Sequence, residues 1–137
     1  MGIDLKRMGE DIAGQGVKLG WDNLTKFPGG KTAFSRLLGK AAPYTGSMNF
    51  KVEELRDGYS RVLLRDQRST RNHLKCVHAI ALANLAEVTA NAAMAYSMPS
   101  DTRFIVAGME IEYLKKARGN IVATAQCPVP DSSERRE

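Results

Sequence analysis

The sequence predicts a single α+β domain in which an antiparallel sheet packs around one long, almost wholly apolar helix. Three observations carry this reading. Apolar residues recur at intervals of three and four in the first third of the chain, the spacing of one helix face. From Met48 the interval becomes two, as it does again beyond Arg103, the spacing of one strand face. Between those stretches lies an alanine-rich run, Val77 to Tyr96, and no lysine or arginine occurs between Lys75 and Arg103. A chain of 137 residues has the length of one domain.

Taken in order, Met1 to Gly16 mixes charges with glycine and is expected to be a flexible N-terminal segment. Val17, Leu19, Trp21, Leu24 and Phe27 describe an amphipathic helix, stopped by Pro28-Gly29-Gly30. A second, short helix carries Phe34, Leu37 and Leu38 on one side and ends before Pro43. Met48, Phe50 and Val52 then alternate with polar partners, Asp57-Gly58 marks a hairpin turn, and Val62 and Leu64 form the face of the returning strand. The helix Val77 to Tyr96 follows and stops at Met98-Pro99-Ser100-Asp101. Small side chains along it let a curved sheet come close to the helix backbone. Arg103 to Lys116, with Met109, Ile111 and Tyr113 against Glu110 and Glu112, reads as a strand. Arg118-Gly119-Asn120 turns the chain into a last strand whose face is Ile121, Ala123, Ala125 and Cys127.

Composition narrows the partners. With 20 basic and 15 acidic residues, 7% aromatics and no long run of like charge, the chain does not read as a nucleic-acid binder, which needs a basic stripe and stacking side chains. A net charge of +5 suits a polyanionic small molecule equally well. Met1 to Gln15 contains acidic residues and no apolar core, unlike a secretory signal, and no uncharged apolar stretch reaches the length of a membrane span. Two cysteines, Cys76 and Cys127, are too few for a disulfide framework, so a cytoplasmic protein with reduced thiols is expected.

The most informative segment is Arg71-Asn72-His73-Leu74-Lys75-Cys76-Val77-His78, with Glu87 beyond it. A polar loop here enters the apolar helix, bringing an amide and an imidazole to a helix start, where unpaired N–H groups and the helix dipole favour developing negative charge. Glu87 lies nine residues past His78, which on a helix is about half a revolution and roughly 13 Å along the axis. The two side chains cannot form a dyad within one chain. If both act in one reaction, a second copy must bring them together.

That order, Asn72, then His78 six positions on, then an acidic residue nine positions further, resembles the hotdog-fold acyl-CoA thioesterases, in particular the phenylacetate-pathway type. Phe34-Ser35-Arg36, Ala42-Pro43-Tyr44-Thr45-Gly46-Ser47, His78-Ala79-Ile80-Ala81 and Tyr113-Leu114-Lys115-Lys116-Ala117 are similar to a poorly characterised branch of that superfamily. The resemblance covers residues 17 to 128. It implies a hotdog domain over that range, with residues 129–137 as a tail. Such domains have further strands after the fourth, whereas the last ten residues here show no apolar alternation, so the chain is expected to be truncated before them. The resemblance also implies a homodimer or dimer of dimers acting on acyl-CoA, with coenzyme A as part of the substrate and no separate cofactor. Glu87 would be base or nucleophile, and Asn72 with the helix start at His78 would stabilise the oxyanion. Where the thioesterase pattern has glycines, this chain has Lys75, Ala79 and Ile80. Those side chains narrow the approach to the N–H groups and make a catalytically silent acyl-CoA binder the alternative. A hydroxyacyl dehydratase, with a His base and an acidic partner, is the other.

Each candidate has a plainer role. Asn84, Glu87 and Asn91 form a narrow polar stripe; a solvated face would be wider and carry lysines, so a cleft-lining carboxylate is expected. Asn72 and His78 could serve only as turn and cap. Cys76, near a helix start, has the setting of a reactive thiolate, but a small buried side chain is its commoner use. His73, Cys76 and His78 are crowded and Cys127 is remote, so no metal site is expected. Lys115, Lys116 and Arg118 could hold coenzyme A phosphates through charge-assisted contacts, or form a solvated hairpin tip.

Overall fold

The computed structural model describes residues 15–99 and 102–129. Its elements are α1 (Gln15–Leu24), α2 (Gly30–Ala41), α3 (Pro43–Gly46), β1 (Lys51–Arg56), β2 (Tyr59–Leu64), a 3-10 turn (Arg68–Thr70), α4 (Ala79–Ser97) and β3 (Ile121–Gln126). The expected flexible segment lies, up to residue 14, outside the described residues. So do all but the first residue of the expected tail, residues 130–137.

Period-two alternation produces one antiparallel sheet of order β1-β2-β3. Val52, Val62 and Leu64 are fully buried, and Ser60, two residues before Val62 on β2, shares their face. A bulge interrupts the β1–β2 ladder between Val52 and Glu54. At the hairpin tip Gly58 takes the left-handed φ of 74° that this turn requires. The buried face meets α4 through Ala81, Leu85, Val88, Ala92 and Ala95. This is the expected α+β arrangement of an antiparallel sheet around a long central helix. The sheet comes so close that the Ser60 hydroxyl donates to the backbone carbonyl of Thr89, and both residues are fully buried.

The first two helices cover the open side of this layer. Trp21 of α1 and Phe34 of α2 meet edge to face, centroids 5.3 Å apart. The Tyr96 hydroxyl donates to Asp22 at 2.8 Å and joins α4 to α1; burial first, and Asp22 second, push that phenol up to about 12. Along β1 the Ser35 hydroxyl accepts from Val52 N–H at 2.8 Å and donates to Lys31 C=O at 2.7 Å. One side chain thereby satisfies a backbone donor at the free edge of the sheet.

Two expectations are corrected. The helix begins at Ala79, because Val77 and His78 are extended and bond to Ala117 C=O and Thr70 C=O. Residues 103–116, expected as a strand, form none among the described residues. Ile105 and Leu114 are 91% and 87% exposed. Alternation specifies two faces but supplies no neighbour, and a strand exists only where a second backbone completes its hydrogen bonds. The place beside β2 is taken by β3.

Helices α2 and α3 touch backbone to backbone at Gly39 and Gly46, where a Cβ on Gly46 would lie 2.1 Å from Gly39 O. The obstacle is main chain and cannot rotate away. Gly46→Ala is expected to destabilise the fold by about 1–3 kcal/mol, as overpacking does. Urea denaturation checks this, and an unchanged midpoint would show that α3 shifts freely.

Candidate functional site

The segment from Thr70 to His78 is a tightly closed loop. His78 N–H donates to Thr70 C=O and Asn72 N–H to Cys76 C=O, both at 2.7 Å, and Arg71 bridges Val77. Within it, Lys75 N–H donates to Asn72 C=O at 3.1 Å, making a four-residue turn. The Asn72 side chain completes that turn: Oδ1 accepts from Leu74 N–H at 2.9 Å and Cys76 N–H at 3.1 Å. Its Nδ2 donates to no acceptor among the described residues. With the oxygen pinned from two sides, the amide donor has a fixed direction.

Lys75 has φ of 59°, in the left-handed region that costs a side-chain-bearing residue about 1–2 kcal/mol. It stands where the thioesterase pattern carries glycine. The loop therefore keeps the backbone shape that the glycine would serve, although the residue has changed.

His78 is the N-cap of α4: its Nδ1 accepts from Ile80 N–H at 3.0 Å. This hydrogen bond assigns the ring proton of neutral imidazole to Nε2, which faces outward as a donor from an exposed side chain. Ile80, 55% exposed, stands beside the same helix start. Glu87, on the third turn of α4, is half-buried and makes no ion pair among the described residues. Asn84, one turn back, is buried and its Oδ1 accepts from the Thr45 hydroxyl at 3.0 Å. Asn84 thus fastens α3 to α4, while Glu87 retains the free carboxylate of the polar stripe. His78 caps α4, whereas Asn72 sits two rungs back along the loop, paired with Cys76. Glu87 lies on the third turn of the helix, about half a revolution from its start.

Three contacts place the basic cluster beside the loop. Tyr113 Oη donates to Ala79 C=O at 2.9 Å, Val77 N–H donates to Ala117 C=O at 2.8 Å, and Arg118 Nε approaches Cys76 Sγ at 3.4 Å. The chain carrying Lys115, Lys116 and Arg118 therefore runs along the helix start, and all three side chains are exposed. Sequence spacing gave no sign of the Tyr113, Cys76–Arg118 or Thr45–Asn84 contacts, each of which joins residues more than thirty positions apart. Cys76 is 3% exposed and is a free thiol. Among the described residues no group of three His, Cys, Asp or Glu could hold a metal ion, and no helix is long and apolar enough to cross a membrane.

Residues 30–137 match the model of the family described as domain of unknown function DUF4442, and the chain belongs to that family. Among solved structures it is similar to a crystal structure from a genomics project, with 34% identity and a TM-score of 0.67, over 90% of this chain and 75% of the other. A second similar structure, at 1.5 Å, is a protein of unknown function from Pseudomonas aeruginosa described as a probable thioesterase. It is 25% identical with a TM-score of 0.63, over 75% of this chain and 68% of that one. No curated protein matches the chain. The family and the second structure agree with the resemblance read from Asn72, His78 and Glu87, that of a thioesterase-like branch without assigned function.

The strain at Lys75 is open to measurement. Lys75→Gly relieves the left-handed conformation but adds freedom to the unfolded chain. The expected net result is a stabilisation of about 0.5–1 kcal/mol, read from denaturant midpoints. A loss of stability would show that the lysine side chain makes contacts outweighing the strain.

Proposed function

We propose that this protein hydrolyses acyl-CoA thioesters in clefts completed by a second copy of the chain. Asn72 of one protomer donates its amide to the thioester oxygen, assisted by the N–H groups at the start of α4. Glu87 of its partner activates water or attacks the carbonyl carbon. The observation that carries this reading is the Asn72 side chain, whose oxygen is held by Leu74 and Cys76 N–H while its Nδ2 has no acceptor among the described residues. A preorganised donor of that kind stabilises charge at no reorganisation cost when the charge develops.

Further support comes from the exposed basic side chains of Lys115, Lys116 and Arg118 beside the same loop, suited to coenzyme A phosphates. The separation of the helix start at His78 from Glu87 along one helix favours a second copy, if both act in one reaction. The likeness to a structure described as a probable thioesterase favours the same chemistry. The dehydratase reading is less well served, since Ile80 N–H occupies the Nδ1 lone pair that a His78 base would use. Ile80, exposed at the helix start, and the side chain of Lys75 in the loop before it favour one second reading, a protein that binds acyl-CoA without turning it over.

Glu87→Gln separates these readings. For a hydrolase, kcat measured with an acyl-CoA panel and thiol release should fall by at least about a hundredfold, with KM changed far less. Turnover within about threefold of wild type would leave the silent binder.

Asn72→Asp keeps the oxygen that closes the loop but removes the amide donor and adds negative charge. Its melting temperature should stay near wild type while kcat falls by about 10²–10³. Mixing refolded Asn72→Asp and Glu87→Gln protomers should then restore roughly a quarter of wild-type turnover, because half of the dimers are mixed and each holds one intact site. No recovery in confirmed mixed dimers would place both residues in the same chain's site or outside any site.

A further inference from the structure

We infer that the groove between α2 and the β1–β2 hairpin is a binding site for a diphosphate group. It is an open groove of about 730 Å³ on the far side of α2 from Trp21, lined by Arg36 and Lys40 of α2 and by Lys51 and Arg65 of the hairpin. Its lining holds no carboxylate. That size falls in the range of small-molecule sites.

Two carboxylates close in sequence to the lining are paired with other cations. Asp66, adjacent to Arg65, is held by both nitrogens of a fork–fork pair with Arg71, each contact 2.9 Å, and that guanidinium keeps the Asp66 carboxyl below the usual range. Glu53, the bulge residue of β1, sits 3.0 Å from Arg61. Arg36, Lys40, Lys51 and Arg65 have no acidic partner among the described residues. Four like charges converging on one concavity repel one another, and an anion in the groove would relieve that repulsion.

The neutral lining suits the same ligand. Thr32 and Asn49 line the groove and make no side-chain hydrogen bond among the described residues, so both can donate. Gln67 is fixed by its bond to Met48 C=O. The Gly39–Gly46 contact forms the floor. The aromatic lining residue, Phe50, is buried, so the groove has no platform on which a base could stack. Charge without stacking selects the phosphates of a ligand and ignores its base. Four cations match a diphosphate better than a single phosphate. The diphosphate could belong to coenzyme A or to a free nucleotide, and the inference does not rest on the thioester chemistry of Glu87.

Calorimetric titration of the full chain with inorganic pyrophosphate, ADP and coenzyme A tests this. The comparison protein is Arg36→Glu/Lys40→Glu, whose two sites are exposed. Pyrophosphate and ADP should bind wild type and bind the variant at least tenfold more weakly, with an unchanged melting temperature. Should the reversal impair folding, Lys51→Gln/Arg65→Gln neutralises the opposite wall and should weaken pyrophosphate in the same direction. Parallel loss of coenzyme A identifies its diphosphate as the natural occupant; retained coenzyme A binding assigns the groove to a free nucleotide. Absence of pyrophosphate binding by wild type at millimolar concentration, or equal affinity in wild type and variants, would overturn the inference. A failed Glu87→Gln test would leave these outcomes untouched.

Discussion

The structure depends on how closely its sheet approaches its helix. Ser60 donates from β2 into the backbone of α4 at Thr89, a contact possible only where no large side chain stands between the two layers. Ala92, Ala93 and Ala95 leave that space empty, and all are buried. A buried hydroxyl without a partner would cost about 1–3 kcal/mol, so the Ser60 bond also fixes the register of sheet on helix. Sliding the helix by one residue would strand Ser60, whereas the Thr89 hydroxyl keeps its bond to Leu85 C=O within the helix.

From that register follows the position of the loop ahead of α4. The helix start cannot move, so the chain entering it must turn sharply between Thr70 and His78, and it does so with its own side chains. Asn72 closes the turn and His78 caps the helix. The same hydrogen bonds that hold these side chains also leave Asn72 Nδ2 and His78 Nε2 directed away from the backbone. Turn closure and a free amide donor are therefore compatible in Asn72, since each uses a different atom of the side chain. Lys75 carries strain in this turn, a conformation that persists only because the surrounding bonds over-determine it.

Charge is distributed with similar economy. Asp66 is paired with Arg71 and Glu53 with Arg61, so neither compensates the cations on either side of the molecule's polar loops. One set lies beside the start of α4 and the other across α2. Exposed ion pairs contribute little to stability, so the consequence of this pairing is felt in the electrostatic field rather than in the fold.

Much of this was legible in the sequence, because periodicity reports burial and burial is local to each element. The two early helices, the Met48–Leu64 hairpin, the alanine-rich helix and the last strand all follow from which side chains recur on one face. So did the place of His78 at a helix start, with Asn72 in the loop before it, and the half-revolution to Glu87, which are matters of counting along one chain. The segment 103–116 shows where counting stops: its alternation is as regular as that of β1, yet whether it is a strand depends on a neighbouring backbone. Asn84 was grouped with Glu87 by spacing, but only the arrival of Thr45 from thirty-nine residues away makes it a structural residue. The setting of Cys76 against Arg118 and the convergence of Arg36, Lys40, Lys51 and Arg65 were likewise decided in three dimensions. Each joins residues whose proximity comes from the packing of distant elements, and no pattern within a single element encodes it.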